Sequence, residues 1–277
     1  MRLFLVAAMV LGAVSSAQAA DMPDFLRGGF TDGLSHTTTN WQGFYVGGQA
    51  GYGSSDENLN GSTNNMVQAL IANNVIQQMG VGDWNLNLGK QSARTSAYGG
   101  FAGYNWQWDD VVLGMEASYL HGNFGGTASA TQGPLIGGPL TDGNYHAVTV
   151  KSTSGIAVSD LATFRGRAGY VYDSFMPYAF AGFALGNADI TQSVNITDRY
   201  APTFTAAGSC ATALVCASLS STNALHNHLV YGYTAGLGID INLIGGLFFR
   251  GEWEYVRLTS TIDTSINTVR AGLGYKF

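Results

Sequence analysis

The sequence is short of charge. Lys, Arg, Asp and Glu together make 11% of its 277 residues, where a soluble domain uses about a quarter. Cysteine is nearly absent, with only Cys210 and Cys216, which excludes a disulfide-dense scaffold and any multi-thiolate metal site. The pair lacks the C-x-x-C spacing of a redox centre and encloses the short segment ATALV. In an exported chain it is expected to form a local disulfide that stiffens a loop tip. Long apolar runs are missing as well. The one N-terminal run, residues 3–14, is too short for the roughly 20 residues that a spanning helix needs. No nucleophile elbow, phosphate-cradling glycine loop or zinc motif occurs, so neither an enzyme nor a bound cofactor is expected.

The N-terminus instead has the form of a secretory signal: Arg2, the apolar run, then Ala17-Gln18-Ala19 in A-x-A spacing. Cleavage after Ala19 is expected, giving a signal peptide over 1–19, a periplasmic lead-in over 20–40 and one domain over 41–277. The formal charge of −6 becomes −7 once Arg2 leaves, which argues against nucleic acid as a partner.

What the chain has in abundance is glycine, 38 residues, together with aromatics and alternation at period two. Eight segments alternate: 43–53, 96–108, 111–121, 160–172, 175–186, 230–241, 246–258 and 267–277. Each is about as long as, or slightly longer than, the 9–11 residues with which a tilted strand crosses a bilayer. The joins alternate between tight turns and long stretches at 54–95, 122–159 and 187–229. This predicts an all-β fold: an eight-stranded antiparallel up-and-down transmembrane β-barrel with long outer loops, its short turns on the periplasmic side. A soluble sandwich or barrel also alternates. Aromatic placement separates the two. Trp41, Phe44, Trp106, Trp108, Tyr170, Tyr172, Phe175 and Tyr178 cluster at the short-turn rim, and Tyr52, Tyr98, Tyr119, Trp253 and Tyr255 toward the other. They read as two interface girdles.

The stretches NWQGFYVGGQAGYG (40–53), TFRGRAGYVYD (163–173), YGYTAGLGIDINL (231–243) and the terminal AGLGYKF resemble the small outer-membrane β-barrel proteins of alphaproteobacteria, the porin-like immunogenic surface proteins. The resemblance implies location in the bacterial outer membrane, among lipid and lipopolysaccharide. It also implies that Tyr275 and Phe277 form the C-terminal signal read by the barrel-assembly machinery. Family members further suggest a surface ligand at the outer loops, haem among them.

An eight-stranded barrel is just wide enough for side chains to fill it. Glu116, Arg165, Arg167, Arg250, Glu252, Glu254 and Arg270 alternate with apolar neighbours and are expected to meet inside as a charge network, either an interior plug or the wall of a narrow ion path. His226 and His228, two apart, would share a face at the lumen mouth and are a possible ligand site; no metal site is expected, and His36, His121 and His146 stand isolated. The glycines of GGFAG (99–103) are expected to serve close packing or bending of the wall. In the first long loop Val67, Ile71, Val75 and Met79, with Leu70 beside them, form a helical stripe expected to cap the barrel mouth or meet a partner. Residues 127–143, rich in Gly and Pro, read as loop. The function expected is structural and surface-interacting; a narrow porin-like channel and a ligand receptor are the alternatives.

Overall fold

In the computed structural model, which describes residues 39–84, 86–204, 215–260 and 262–277, eight strands follow one another in a closed antiparallel ring. They are β1 (Gly43–Asn58), β2 (Lys90–Trp108), β3 (Val111–Gly137), β4 (Tyr145–Tyr170), β5 (Phe175–Ala201), β6 (Val215–Ile244), β7 (Leu247–Thr259) and β8 (Asp263–Lys276). Pairing of β1 with β8, from Tyr45–Lys276 to Asn58–Asp263, closes the ring. Closure matters because an unpaired edge has nothing to bond with in lipid. The signal and lead-in expected before residue 39, and Cys210 of the expected Cys210–Cys216 bridge, lie outside the described residues.

At one rim β2 turns into β3 through Asp109-Asp110, β4 into β5 through Asp173-Ser174, and β6 into β7 through Gly245-Gly246. Asp109, Asp173 and Gly245 take positive φ of 50°, 56° and 62°, the left-handed region that Asp tolerates and Gly prefers in tight hairpins.

Along the lower half of the strands one face is exposed and apolar, while the buried face carries the charged side chains together with aromatic ones. On β7, Leu247, Phe249 and Trp253 face out, whereas Arg250, Glu252 and Glu254 are buried. The outward band from Phe44 to Tyr52 spans roughly 20 Å of membrane normal at about 3.3 Å per residue and a tilt near 40°. Exposed aromatics bound it: Phe44, Trp106, Trp108, Tyr170, Tyr172 and Phe175 below, Tyr52, Tyr98, Tyr119, Tyr231, Tyr233 and Trp253 above. Trp41 and Tyr178 correct the expected girdle. At 3% and 5% exposure they point into the lumen, where Tyr178 lies over Gly238, close enough that a Cβ there would come within 2.3 Å of its ring.

The largest correction concerns the outer loops. Residues 122–159 and 187–229 are mostly strand: β3 to β6 run 27, 26, 27 and 30 residues. Such lengths reach roughly 90 Å at the usual rise, far beyond a bilayer. The expected strand ends coincide with a belt of register shifts at His121/Phe124, Val158/Asp160 and Ala188/Ile190. His121, Asp160, Asn187 and Leu229 form one row across this belt. Each bulge inserts a residue and bends the sheet. On β4 the buried set switches from odd positions (Leu161, Thr163) to even ones (Val158, Ile156), which ends any period-two reading. Above the belt the apolar face turns inward, with Val148, Val150, Ile190, Val194 and Ile196 buried, as in a water-soluble sheet.

The β1–β2 connection covers that inward face. Its helix α1 (Asn64–Ile71) is followed by 3-10 turns Val75–Met79 and Val81–Asp83. Val67, Ile71, Ile76 and Val81 pack with Val148, Val150, Val194 and Ile196 in one buried cluster, with Leu70, Val75 and Met79 at its margin. The stripe is therefore a cap. It slips from Val75 to Ile76 because α1 ends at Ile71 and the tighter turn, capped by the Asn74 side chain on the Ile76 amide at 3.1 Å, rotates the next apolar residue inward.

Candidate functional site: the lumen charge plug

Inward positions on β3, β4, β6, β7 and β8 carry four guanidiniums (Arg165, Arg167, Arg250, Arg270) and four carboxylates (Glu116, Asp240, Glu252, Glu254). Their side chains are no more than 2% exposed. Strand register brings them level. Glu116 sits opposite Arg165, Asp240 opposite Arg250 and Glu252 opposite Arg270.

Glu116 is the hub. One of its oxygens accepts from Arg165 Nε at 3.0 Å and from Arg165 Nη2. The other accepts from Arg250 Nη1 at 2.7 Å, Arg167 Nη1 at 3.2 Å and the Tyr45 hydroxyl at 2.7 Å. Asp240 accepts from Arg167 Nη2 at 2.6 Å and from Arg250 Nε and Nη2 at 2.8 and 2.9 Å. Glu252 takes Arg165 Nη1 and Nη2, both at 2.7 Å, and the Tyr178 hydroxyl at 2.8 Å; Arg270 also donates to it. Glu254 accepts from Thr234 at 2.7 Å and pairs with Arg270 at 2.6 Å. Guanidinium planes also lie on rings, Arg165 on Phe180 at 4.1 Å, Arg250 on Phe101 at 4.0 Å and Arg167 on Tyr178 at 3.8 Å.

Formal charge within the cluster cancels, and the forks of Arg165 on Glu252 and Arg250 on Asp240 pair ions that would be costly to bury alone, while Arg167 Nε and Arg270 Nε and Nη1 are buried without a hydrogen bond among the described residues. Beneath the network lies an aromatic layer of Trp41, Tyr45, Phe101, Tyr178, Phe180 and Phe248. Above it lies an apolar layer that includes Leu120, Phe124, Leu161, Val230, Val256 and Leu258. Side chains thus fill the lumen in three layers, the charged one at no more than 2% exposure.

Asp240 was missed by the sequence reading, although the alternation of YGYTAGLGIDINL places it on the inward side with Thr234 and Gly236; its only acidic neighbours in sequence lie far away, so no local cluster flagged it. The other network residues, Glu116, Arg165, Arg167, Arg250, Glu252, Glu254 and Arg270, all come together here. His226 and His228 do not form the shared face expected of them. The register shift beside Ala188/Ile190, with Asn227 at a φ of 53°, separates them: His226 approaches the exposed Asp189 at 3.5 Å, while His228 stands opposite Ala188. Tyr275 and Phe277 lie at the short-turn rim, their rings edge-to-face at 5.2 Å, and the Phe277 amide bonds the Phe44 carbonyl at 2.9 Å.

Two histidines expected to be isolated are not. His121 contacts Asp160 at 2.9 Å. His146, buried at the far end of the extension, has Nδ1 within 3.0 Å of Asp198 and Nε2 3.0 Å from Asp142, with its ring stacked on Tyr200 at 5.2 Å. A neutral imidazole has one N–H and satisfies only one of these acceptors. Burial pushes the Asp198 carboxyl up from its ordinary value despite the histidine. At Asp142 burial also opposes ionisation, but hydrogen bonds from Asn144 and then His146 outweigh it and hold the group below its usual range.

The family to which the sequence is similar agrees with this architecture. The sequence profile of the outer membrane protein beta-barrel domain family matches residues 4–277. The 25 kDa outer-membrane immunogenic protein of Brucella ovis is 24% identical over 181 residues, 65% of this chain; the chain spans 62% of that protein's length. The 22 kDa outer membrane protein of Rhizobium leguminosarum bv. viciae is 27% identical over 200 residues, covering 72% of this chain and 75% of the relative. Among solved structures, Ail of Yersinia pestis aligns over 85% of this chain and 99% of its own at 14% identity and a TM-score of 0.33. Neisserial surface protein A aligns over 84% and 97% at 12% identity and a TM-score of 0.35.

Proposed function

The chain belongs to the outer membrane protein beta-barrel domain family, and from that premise we propose that it is a non-conducting barrel that braces the outer membrane and displays a folded platform on the cell surface. The observation that carries this reading is the sealed charge plug. An ion entering from either side meets an apolar or aromatic layer and then eight mutually neutralised groups at no more than 2% exposure. Displacing one paired guanidinium to open a path would leave its carboxylate partners unpaired in a dry interior, at a cost of several kcal/mol. The platform is the extension of β3 to β6 closed by the α1 cap, a shape suited to contact rather than to transport.

Planar-bilayer recording of the refolded mature chain tests the proposal. The expected result is a silent bilayer, with E254Q and R250Q equally silent. Stable single-channel steps in the wild type, altered in size or selectivity by R250Q, would establish a lumen path and refute the reading.

A further inference from the structure

At the height where outward aromatics give way to polar residues, Arg94 of β2, Ser54 of β1 and Asn267 of β8 stand in one row: Arg94 is opposite Ser54, and Ser54 opposite Asn267. In the row beneath, Tyr52 pairs with Val269 and Val269 with Trp253. These six side chains line a groove of ≈ 240 Å³ in the outer wall. Its shape follows from side-chain size, because small Ser54 and Asn267 are flanked by Arg94 on one side and by Tyr255, opposite Asn267, on the other. Its lower half is apolar and exposed, with Tyr52 at 59%, Trp253 at 45% and Val269 at 64%.

The upper half holds donors without partners. Among the described residues, Arg94, Ser54 and Asn267 make no side-chain hydrogen bond or ion pair. The neighbouring cation Arg257, by contrast, is engaged with Asp263 at 3.2 Å. A free guanidinium beside an amide and a hydroxyl, directly above an aromatic wall that faces lipid, offers a planar fork suited to a tetrahedral oxyanion and an apolar bed for what hangs below it.

We propose that this groove binds the phosphate-bearing headgroup of an outer-leaflet lipid. Arg94 donates its fork to phosphate oxygens, Asn267 and Ser54 donate beside it, and the first methylenes of an acyl chain lie on Tyr52, Trp253 and Val269. The inference rests on the outer-membrane location of the chain and is independent of whether the lumen conducts. The occupant continues the lipid interface upward from the apolar band, and its negative charge complements the unpaired cation on a chain that is acidic overall.

The test uses the refolded full chain in neutral detergent, with bound lipid counted by native mass spectrometry. The probes are bisphosphorylated lipid A, lipid A stripped of its phosphates, and inorganic phosphate. Phosphorylated lipid A is expected to bind the wild type, and R94Q to weaken it by about tenfold or more, the worth of a charge-assisted contact. R94K should recover part of the loss. K151Q, which removes a cation from the outer face of the extension, should change nothing. Unaltered heat-modifiable gel migration shows that the variants fold. Displacement by inorganic phosphate supports recognition of the phosphate alone, whereas resistance to displacement supports recognition of phosphate with its acyl chain. The proposal is overturned if R94Q binds phosphorylated lipid A as tightly as the wild type, or if the dephosphorylated lipid binds equally well.

Discussion

Replacing Glu116 by Gln probes whether the lumen charges act as a neutral unit. The variant leaves shape almost unchanged but gives the cluster one excess positive charge, facing Arg165, Arg167 and Arg250 at once. Removing one partner of a buried ion pair costs about 3–5 kcal/mol. The Gln carbonyl still accepts from part of this set, which returns about 1 kcal/mol, so the net loss should be about 2–4 kcal/mol. In a urea titration followed by tryptophan fluorescence and gel migration, an m-value of about 1–3 kcal/mol/M turns that loss into a midpoint shift of roughly 0.7–4 M. A second substitution sharpens the test. R250Q alone leaves an excess negative charge, and E116Q/R250Q restores balance with three ions of each sign. The double variant should therefore be more stable than the sum of the single losses implies, by about 1–3 kcal/mol of coupling. An unshifted midpoint in E116Q, or strict additivity in the double variant, refutes the neutral-unit account.

Two further outcomes follow from sites at the ends of the barrel. At the tip of the extension, the raised carboxyl of Asp198 contributes stability that is complete below its unfolded value of about 3.9 and is lost as pH rises through the folded value; Asp142, held low, contributes stability present above that unfolded value and lost as pH falls. Hydrogen exchange over 138–146 should accordingly quicken on both sides of an optimum near the unfolded carboxyl value of about 4 after correction for intrinsic rates, with D198N abolishing the high-pH limb and D142N the low-pH limb; profiles identical to the wild type in both variants would rule this out. At the other end, deleting Phe277 removes the amide contact to Phe44 and one ring of the terminal aromatic pair. Outer-membrane levels should fall several-fold while the purified chain still refolds in detergent, and normal levels with normal rate would deny the terminus its part in assembly.

The barrel was legible because a lipid-facing strand must obey a strict rule: every second residue meets hydrocarbon, so alternation and aromatic borders are written locally. TVRAGLGYKF (268–277) shows this in miniature, with Val269, Leu273 and Tyr275 exposed to lipid and Thr268 and Arg270 buried in the lumen. The network members could be named one strand at a time for the same reason. Their pairing could not, since Glu116 meets Arg250 across 134 residues of sequence through barrel closure. The extension looks like loop in the sequence because the rule changes at its base. Each bulge offsets one strand by a residue, and above the belt the apolar face swaps from outside to inside, so Val194 and Ile196 carry the opposite meaning to Phe183 and Leu185 on the same strand. His146 looked isolated because Asp198 reaches it only through β4–β5 pairing.

Sequence by itself determined the strand number, the lipid and lumen faces below the belt, and the tight turns, all of which depend on near neighbours and on the contrast between hydrocarbon and water. Tertiary structure decided what depends on distant pairing: that the lumen charges cancel in one buried layer, that β3 to β6 rise far above the membrane, that the first connection folds back as their cap, and that Arg94, Ser54 and Asn267 share one row. The physical reason is register. A strand's faces are fixed by its own residues, but which residues stand level with one another is fixed only when eight strands close into a ring.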